Sequence, residues 1–404
     1  MAKSRHSSDP PSGFIPDRGP ARYFHGRKKI RRDFKELLRY ASQKTWGTTF
    51  LIQGAPGVGK TALLEEIASD ALENQWDVVD INLDDLYNSF HMAQTIGESH
   101  VARKQTVTTV DAKLLSRDHI KEVAGDSSVT QVLQRMNPDL GVILILDEAQ
   151  RIGAFSGTPN EIPVMGTLDT LHNGRLPHPV ILLAAGLRTT LKAFGSLKIS
   201  RFAEDCLVEL GALNKASERA VIQDWLKKKG KAKGDPTAWI DAIVKETHGW
   251  PRHVQSYAKR AADHLEAGGG IMTTERLNAS LEAGREGRKV YYKQRVGDFY
   301  GDEIQCLVNS ILDNPSGPPT SRIEIISSLA EKYGDRSKAE KLVKDFIEAG
   351  ILEKSGVGLA VPIPSMHTWL KEEYSRERHM NQNSGLERSY PNPPAFVVSG
   401  EKMA

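Results

Sequence analysis

Short apolar runs alternate with helical patterns over residues 45–210 of the chain. The runs are TTFLIQG, WDVVDINL, GVILILDE, PVILLAAG and DCLVELGAL. A short continuous apolar run flanked by Gly, Pro or Asp is typical of a strand that is buried on both faces. Strands of this kind separated by helices predict a parallel sheet with right-handed crossovers, and hence an α/β fold.

From about residue 214 the pattern becomes helical only, with Ser, Thr or Pro at the helix starts, which predicts a small helical domain. Three more helical segments follow after residue 300. The stretch ILEKSGVGLAVPIP then predicts two short strands joined at Gly356-Val357-Gly358. Three helices followed by a hairpin is the order of a winged helix.

These patterns divide the chain into a sheet domain at 21–212, a helical domain at 213–290 and a winged-helix-like domain at 300–375. The ends, 1–20 and 376–404, are rich in polar and charged residues and in Pro, so we expect them to be disordered. Residues 88–138 form a long connection with one predicted helix, at 118–136. Long insertions of this kind are either functional contacts or ordinary surface excursions.

Composition indicates the class of protein and its localisation more than its biochemical function. The 404 residues are 39% hydrophobic and 26% charged, as in a globular protein, and the net charge is only +3. A surface for nucleic acid would therefore need local clustering of basic residues, such as KKKGKAK at 227–233. Cys206 and Cys306 form neither a disulfide framework nor a metal motif, and no apolar stretch approaches membrane-spanning length. We expect a cytoplasmic protein with no membrane partner.

The stretch GAPGVGKT at 54–61 lies between a predicted buried strand and a predicted helix. Its glycines allow the backbone to curl so that several N–H groups face phosphate oxygens, and the following helix adds its positive end. Lys60 is expected to reach the β- and γ-phosphates, and Thr61 to give its hydroxyl to Mg²⁺. The alternative is a chance Gly-rich turn.

A second acidic group should follow a neighbouring parallel strand, because open α/β sheets place their ligands at the carboxyl ends of the strands. GVILILDEAQ provides Asp147 and Glu148 there. Asp147 is expected to hold the metal, and Glu148 to polarise the attacking water. A solvated acidic turn is the alternative.

The order YFHGR, GAPGVGKT, ILILDEAQ, VILLAAG, SRF and GWPR resembles the AAA+ P-loop ATPases, in particular the Orc1-like branch and its STAND and transposition relatives. The resemblance covers residues 20–285 and extends through the winged-helix-like domain to 375. It implies a P-loop NTPase sheet with a helical lid domain, ATP and Mg²⁺ as ligands, and ATP hydrolysis.

The resemblance also implies roles for individual residues. It places Gly26 and Arg27 against the adenine, makes Arg201 the arginine finger for a neighbouring subunit, and makes Arg252 the sensor of the γ-phosphate in its own subunit. A basic loop, a structural arginine and a helix-capping arginine are the respective alternatives. The residues expected to contact the nucleotide are Gly26, Arg27, Gly54, Ala55, Pro56, Gly57, Val58, Gly59, Lys60, Thr61 and Ala62.

Two further features modify this picture. Trp250 is expected to pack the lid against the sheet. The resemblance implies a polar residue at the end of the strand VILLAAG, which this sequence lacks, and Arg188, Thr189 or Thr190 are the possible substitutes in the next turn. We therefore expect slow hydrolysis, as in a switch.

Two functions remain open. The first is an ATPase that assembles as a homo-oligomer and acts on DNA or a DNA-bound partner. The second is a STAND-type switch that acts on a protein partner without DNA. A nucleotide binder that never hydrolyses ATP would require Glu148 to be idle.

Overall fold

The computed structural model describes residues 21–43, 46–88, 92, 95, 140–312 and 319–374. The expected disorder of the two ends and the expected helix at 118–136 lie outside these residues.

All five predicted strands are present and form one sheet. They are β1 (Gly47–Gly54), β2 (Asp77–Asp80), β3 (Val142–Leu146), β4 (Val180–Gly186) and β5 (Leu207–Leu210). Neighbouring strands pair in parallel in the order β2-β3-β4-β1-β5. The predicted α/β fold is thus confirmed, and the carboxyl ends of all five strands lie at one edge of the sheet.

Helices cover both faces of the sheet. They are α1 (Lys28–Ala41), α2 (Lys60–Glu73), α3 (Leu83–Tyr87), α4 (Glu161–Asn173) and α5 (Thr190–Ser196), with 3₁₀ helices at Ala149–Phe155 and Glu204–Cys206. Strand β3 illustrates how the faces divide. Ile143 and Ile145 join the core with α1 and α2, whereas Val142, Leu144 and Leu146 join the core with α4 and α5. Because every residue of β3 is buried, the strand reads as a continuous apolar run.

Four helices form the lid, α6 (Lys215–Asp224), α7 (Thr237–Thr247), α8 (Pro251–Ala267) and α9 (Thr274–Val296), and α6 continues as a π-helical turn at Trp225–Lys229. Pro251 stands in the first turn of α8, where its missing N–H costs nothing. Helix α9 passes the expected domain end at 290 and reaches Val296, because no glycine or proline follows residue 290 before Gly297.

The remaining elements form a C-terminal unit, residues 301–374. They are α10 (Gly301–Leu312), α11 (Arg322–Tyr333), α12 (Arg336–Glu348), β6 (Glu353–Ser355), β7 (Gly358–Ala360) and α13 (Pro364–Tyr374). Three helices and an antiparallel hairpin thus occur in the predicted order. Sequence reasoning missed α13, although Met366, Trp369 and Leu370 are buried at helical spacing.

One apolar core joins the C-terminal unit to the sheet. It runs from Ile143 and Ile181 in the sheet through Trp250, Tyr292 and Val296, and continues among the helices of the C-terminal unit. Trp250 is only 5% exposed, which confirms the expectation that it packs the lid against the sheet. The C-terminal unit is therefore seated on the sheet domain and the lid.

Cys206 and Cys306 are both buried and form no disulfide. None of the described helices combines the length and the apolar character that crossing a bilayer requires.

Candidate functional site

The loop GAPGVGKT connects β1 to α2 at the carboxyl edge of the sheet. Gly57 and Gly59 adopt φ angles of +75° and +90°, which residues with a Cβ rarely tolerate. These two glycines turn the backbone so that α2 begins at Lys60, with Thr61 and Ala62 in its first turn. The loop therefore has the shape that lets backbone N–H groups converge on an anion.

Lys60 is buried under this loop. Its Nζ donates hydrogen bonds to the carbonyl oxygens of Gly54, at 2.9 Å, and Ala55, at 3.2 Å. Burial lowers the pKa of Lys60, and the nearby carboxylates of Glu148 and Asp147 oppose that shift. A buried ammonium whose hydrogen bonds go to neutral carbonyls gains from an anionic partner, so the geometry suits a phosphate.

The two residues expected to hold the metal are in direct contact. Thr61 Oγ1 donates to Asp147 Oδ2 at 2.7 Å. Burial raises the pKa of Glu65 and of Asp80, and the charge of Asp147 raises both further, so this corner of the site is electronegative. Among the described residues no group of three or more metal-ligating side chains exists. Mg²⁺ fits this arrangement, because it usually takes one or two protein ligands and completes its shell with phosphate and water.

Glu148 is held by a residue that sequence reasoning missed. Gln150 Nε2 donates to Glu148 Oε2 at 2.6 Å, and Gln150 Oε1 accepts from the Leu187 N–H at 3.1 Å. Glu148 itself has a left-handed backbone, with φ +52°. Gln150 therefore connects the carboxylate to the end of β4. The only sequence signal was an amide two residues after Glu148.

This link explains why β4 ends without a polar side chain. A Cβ placed on Gly186 would stand 2.5 Å from Gln150 Oε1 and 2.3 Å from Thr190 Oγ1, so the position is already filled. Thr190 turns back to donate to the Leu187 carbonyl, and the Arg188 guanidinium pairs with Glu209 and Glu353. Gln150 thus places a polar group between β4 and Glu148. Arg188 and Thr190 make other contacts.

The segment that precedes α1 reaches the phosphate loop through Arg27. Its guanidinium donates to the carbonyls of Gly211, after β5, and of Val58, at 3.5 Å. Burial lowers the pKa of Arg27. Gly26 has φ +90° and lies against Ser217 of α6, where a Cβ would stand 2.8 Å from Oγ. This segment therefore joins the loop to the lid.

Arg252 lies at the junction of the lid and the phosphate loop. Its backbone N–H donates to the Gly57 carbonyl at 3.1 Å. Its guanidinium stacks over the ring of Tyr291 in α9, 4.2 Å from the ring centroid. The first turn of α8 is thereby fixed to the loop, and the charged end of Arg252 is in contact with α9.

Arg201 is not part of this constellation. The residue is exposed, in a segment without regular structure before β5. Its carbonyl accepts a hydrogen bond from His172 Nε2 at 2.6 Å, and His172 Nδ1 lies 2.9 Å from Thr49 Oγ1. Thr49 is five residues before Gly54 in β1, about 16 Å along an extended strand. The described contacts therefore tie Arg201 to the amino-terminal half of β1.

Residues 48–229 match the model of the NACHT domain family, a STAND-type P-loop NTPase domain. The match begins in β1, includes the phosphate loop and the acidic strand, and ends in the lid. No curated protein matches the sequence.

Two solved structures share the fold. A Walker-type ATPase of Pyrococcus abyssi is 15% identical, with a TM-score of 0.58 over 88% of this chain and 98% of that one. The ORC2 protein of Aeropyrum pernix, solved as ADPNP–ADP complexes, is 14% identical, with a TM-score of 0.50 over 89% and 97%. The likeness to both is one of fold. Together with the domain match, it confirms the resemblance to AAA+ P-loop ATPases of the Orc1-like and STAND-related branch.

Replacing Lys60 tests the phosphate loop. Because Lys60→Ala removes the buried ammonium, we expect ATP affinity to fall roughly 100-fold, as for loss of a strong charge-assisted hydrogen bond. Calorimetric titration with ATP measures it. Lys233→Ala, which removes an exposed lysine of the lid, is the control. An unchanged affinity in Lys60→Ala would remove the assignment of the loop.

Replacing Gln150 tests its link to Glu148. Gln150→Ala leaves the carboxylate without its amide partner, so we expect kcat to fall about tenfold while ATP affinity is retained. Glu148→Gln should retain affinity and accumulate the ATP-bound state. Arg151→Ala changes the exposed neighbour and should behave as the wild type. Equal loss of affinity and turnover in Gln150→Ala would indicate a role in folding only.

Proposed function

We propose that this chain is a slow ATP hydrolase that uses the bound nucleotide as a conformational switch. The observation that carries the proposal is the contact between the C-terminal unit and the phosphate loop. Gly350, with φ +68°, approaches so closely that a Cβ there would stand 2.6 Å from Pro56 Cγ. Arg295 of α9 holds this turn by donating to the Ala349 carbonyl. The unit thus rests on the loop that would bind phosphate.

An ion-pair cluster reinforces the contact. Arg188 Nε lies 3.0 Å from Glu209 Oε1 and 3.3 Å from Glu353 Oε2, and these are ion pairs without well-aligned hydrogen bonds. Burial raises the pKa of Glu353, whereas the charges of Arg188 and then Lys60 lower it. A γ-phosphate bound at Lys60 would bring negative charge toward Glu353. We infer that a nucleoside triphosphate weakens the closed contact and a diphosphate weakens it less.

Helix α9 offers the route from nucleotide to C-terminal unit. Tyr291 stacks under Arg252, and Tyr292 accepts from or donates to His253 and Ser365, both at 2.7 Å. Arg295 reaches Ala349. If Arg252 turns toward a γ-phosphate, it leaves Tyr291, and the same helix carries the contacts to the C-terminal unit.

In this proposal the site residues keep the roles expected from the sequence. The Lys60 ammonium binds the β- and γ-phosphates, Thr61 and Asp147 hold Mg²⁺, and Glu148 orients the attacking water. Mg²⁺ would supply charge neutralisation at the phosphates. Arg201 belongs to the site of a neighbouring copy, so full activity requires an oligomer.

The partner is proposed to be a protein that binds the C-terminal unit. Two of the exposed basic residues of α12 pair with acids one turn away, Arg336 with Glu340 at 3.2 Å and Lys344 with Glu348 at 3.4 Å, and Lys338 lies over the Tyr333 ring. Such a mixed surface is a poor match for a polyphosphate backbone. The second candidate is DNA-linked assembly, which the exposed Lys227, Lys231 and Lys233 of the lid favour.

Turnover of ATP across protein concentrations, with and without duplex DNA, tests the proposal. The closed switch predicts a low rate that increases with protein concentration and is unchanged by DNA. Stimulation by DNA that declines as salt rises would instead support the second candidate, since phosphate contacts release counterions. A fast rate at every concentration would overturn the switch.

Replacing Glu353 of β6 tests the closed contact. Glu353→Ala should raise turnover about fivefold, because a partly buried ion pair contributes about 1 kcal/mol to the closed state. Lys354→Ala alters the exposed next residue of β6 and should leave the rate unchanged. Steady-state hydrolysis measures both. If Glu353→Ala keeps the wild-type rate, the pair does not restrain the enzyme.

A further inference from the structure

His172 is a buried titratable residue to which the proposed reaction assigns no role. It is 7% exposed, near the end of α4. Nε2 lies 2.6 Å from the Arg201 carbonyl and Nδ1 lies 2.9 Å from Thr49 Oγ1. Since a carbonyl can only accept, Nε2 must carry the proton, and the Thr49 hydroxyl donates to Nδ1. These bonds select one neutral tautomer.

The environment of the ring favours that neutral form. Burial lowers the pKa of His172, and the hydrogen bond to the Arg201 carbonyl opposes the shift. The charge of Asp169, on the same helix, also raises the pKa. The Nε2–H donor to Arg201 exists in both protonation states, and the neutral ring also keeps Nδ1 as the acceptor for Thr49.

Aromatic packing fixes the residue that follows Arg201. The Phe202 ring lies 4.9 Å from the His172 ring and 5.5 Å from the Phe194 ring, centroid to centroid, and meets Phe194 edge-on. The backbone of Arg201 is thus held on one side by a hydrogen bond and on the other by its packed neighbour. The Arg201 side chain remains exposed.

We propose that His172 is a positioning residue that presents Arg201 to the nucleotide of a neighbouring copy of this chain. The inference rests on the proposed function, in which Arg201 acts in trans. A guanidinium on a fixed backbone loses less conformational freedom when it engages a phosphoryl group than one on a mobile loop. Thr49 adds a second anchor, on the strand that leads into the phosphate loop.

A purely structural histidine predicts different behaviour. It would support the core beneath β1 and α4, and its loss would lower stability and every activity together. A positioning role instead predicts loss of kcat at high protein concentration, unchanged ATP affinity, and no effect once Arg201 is absent.

Two substitutions distinguish the hydrogen bond of His172 to the Arg201 carbonyl from its hydrogen bond to Thr49. In His172→Gln the side-chain amide can reach the place of Nε2 and still donate to Arg201. In His172→Asn the shorter amide can serve Thr49 but not Arg201. We expect His172→Asn to lower concentration-dependent turnover roughly five- to tenfold, about the effect of one hydrogen bond, and His172→Gln to restore most of it. ATP titration and thermal unfolding accompany each rate measurement.

The double variant and Arg201→Ala complete the test. Arg201→Ala and Arg201→Ala/His172→Asn should show the same reduced rate, because the two residues act in one step. If His172→Asn keeps the wild-type rate while Arg201→Ala loses it, or if the losses multiply, the positioning role is overturned and the arginine finger stands. If Arg201→Ala keeps the wild-type rate, the trans arginine itself is wrong, and the inference falls with it.

Thr49→Val provides a second route if His172→Asn does not fold. Val replaces the hydroxyl at nearly constant volume and leaves Nδ1 without its donor. A fall in kcat of about two- to threefold, absent in the Arg201→Ala background, supports the role. An unchanged kcat in folded Thr49→Val counts against it.

Discussion

Three other parts of the chain contact the phosphate loop, and through these contacts the loop helps to set their positions. Arg27 comes from the segment before α1, the Arg252 backbone comes from the lid, and Gly350 comes from the C-terminal unit. Each contact is to a backbone group or a proline of a loop whose shape two left-handed glycines determine. A ligand that fills the loop would therefore act on all three parts at once, which is the physical basis of the proposed nucleotide-dependent switch.

Chemistry at this site depends on the parallel sheet. Strands β1, β3 and β4 are adjacent in space but far apart in sequence, and their carboxyl ends bring Lys60, Asp147 and Leu187 to one edge. Gln150 uses that adjacency to bridge Glu148 and Leu187. The position of the carboxylate is thus set by contacts that the fold provides, with no side chain of β4 involved.

Helix α9 has a comparable role at the other side of the site. Its last turns carry Tyr291, Tyr292 and Arg295, which contact Arg252, Ser365 and Ala349. A rigid element with contacts at both ends can transmit a displacement, whereas a flexible linker at 290–300 would have separated the lid from the C-terminal unit. The continuity of α9 therefore matters more to the proposed switch than the identity of any one contact.

The sequence by itself determined the strands, the phosphate loop and the acidic pair, because each is a local pattern. Apolar runs fix β1 to β5, and GAPGVGKT and DE carry their chemistry within a few residues. Only the tertiary structure decided the partners of Glu148, Arg188 and Arg201. Gln150 meets Leu187 across 37 residues and His172 meets Arg201 across 29, and no periodicity encodes such pairs. The contact of Gly350 with Pro56 likewise depends on how the sheet domain, the lid and the C-terminal unit pack together. Its free energy comes from contacts between segments that are distant in the chain.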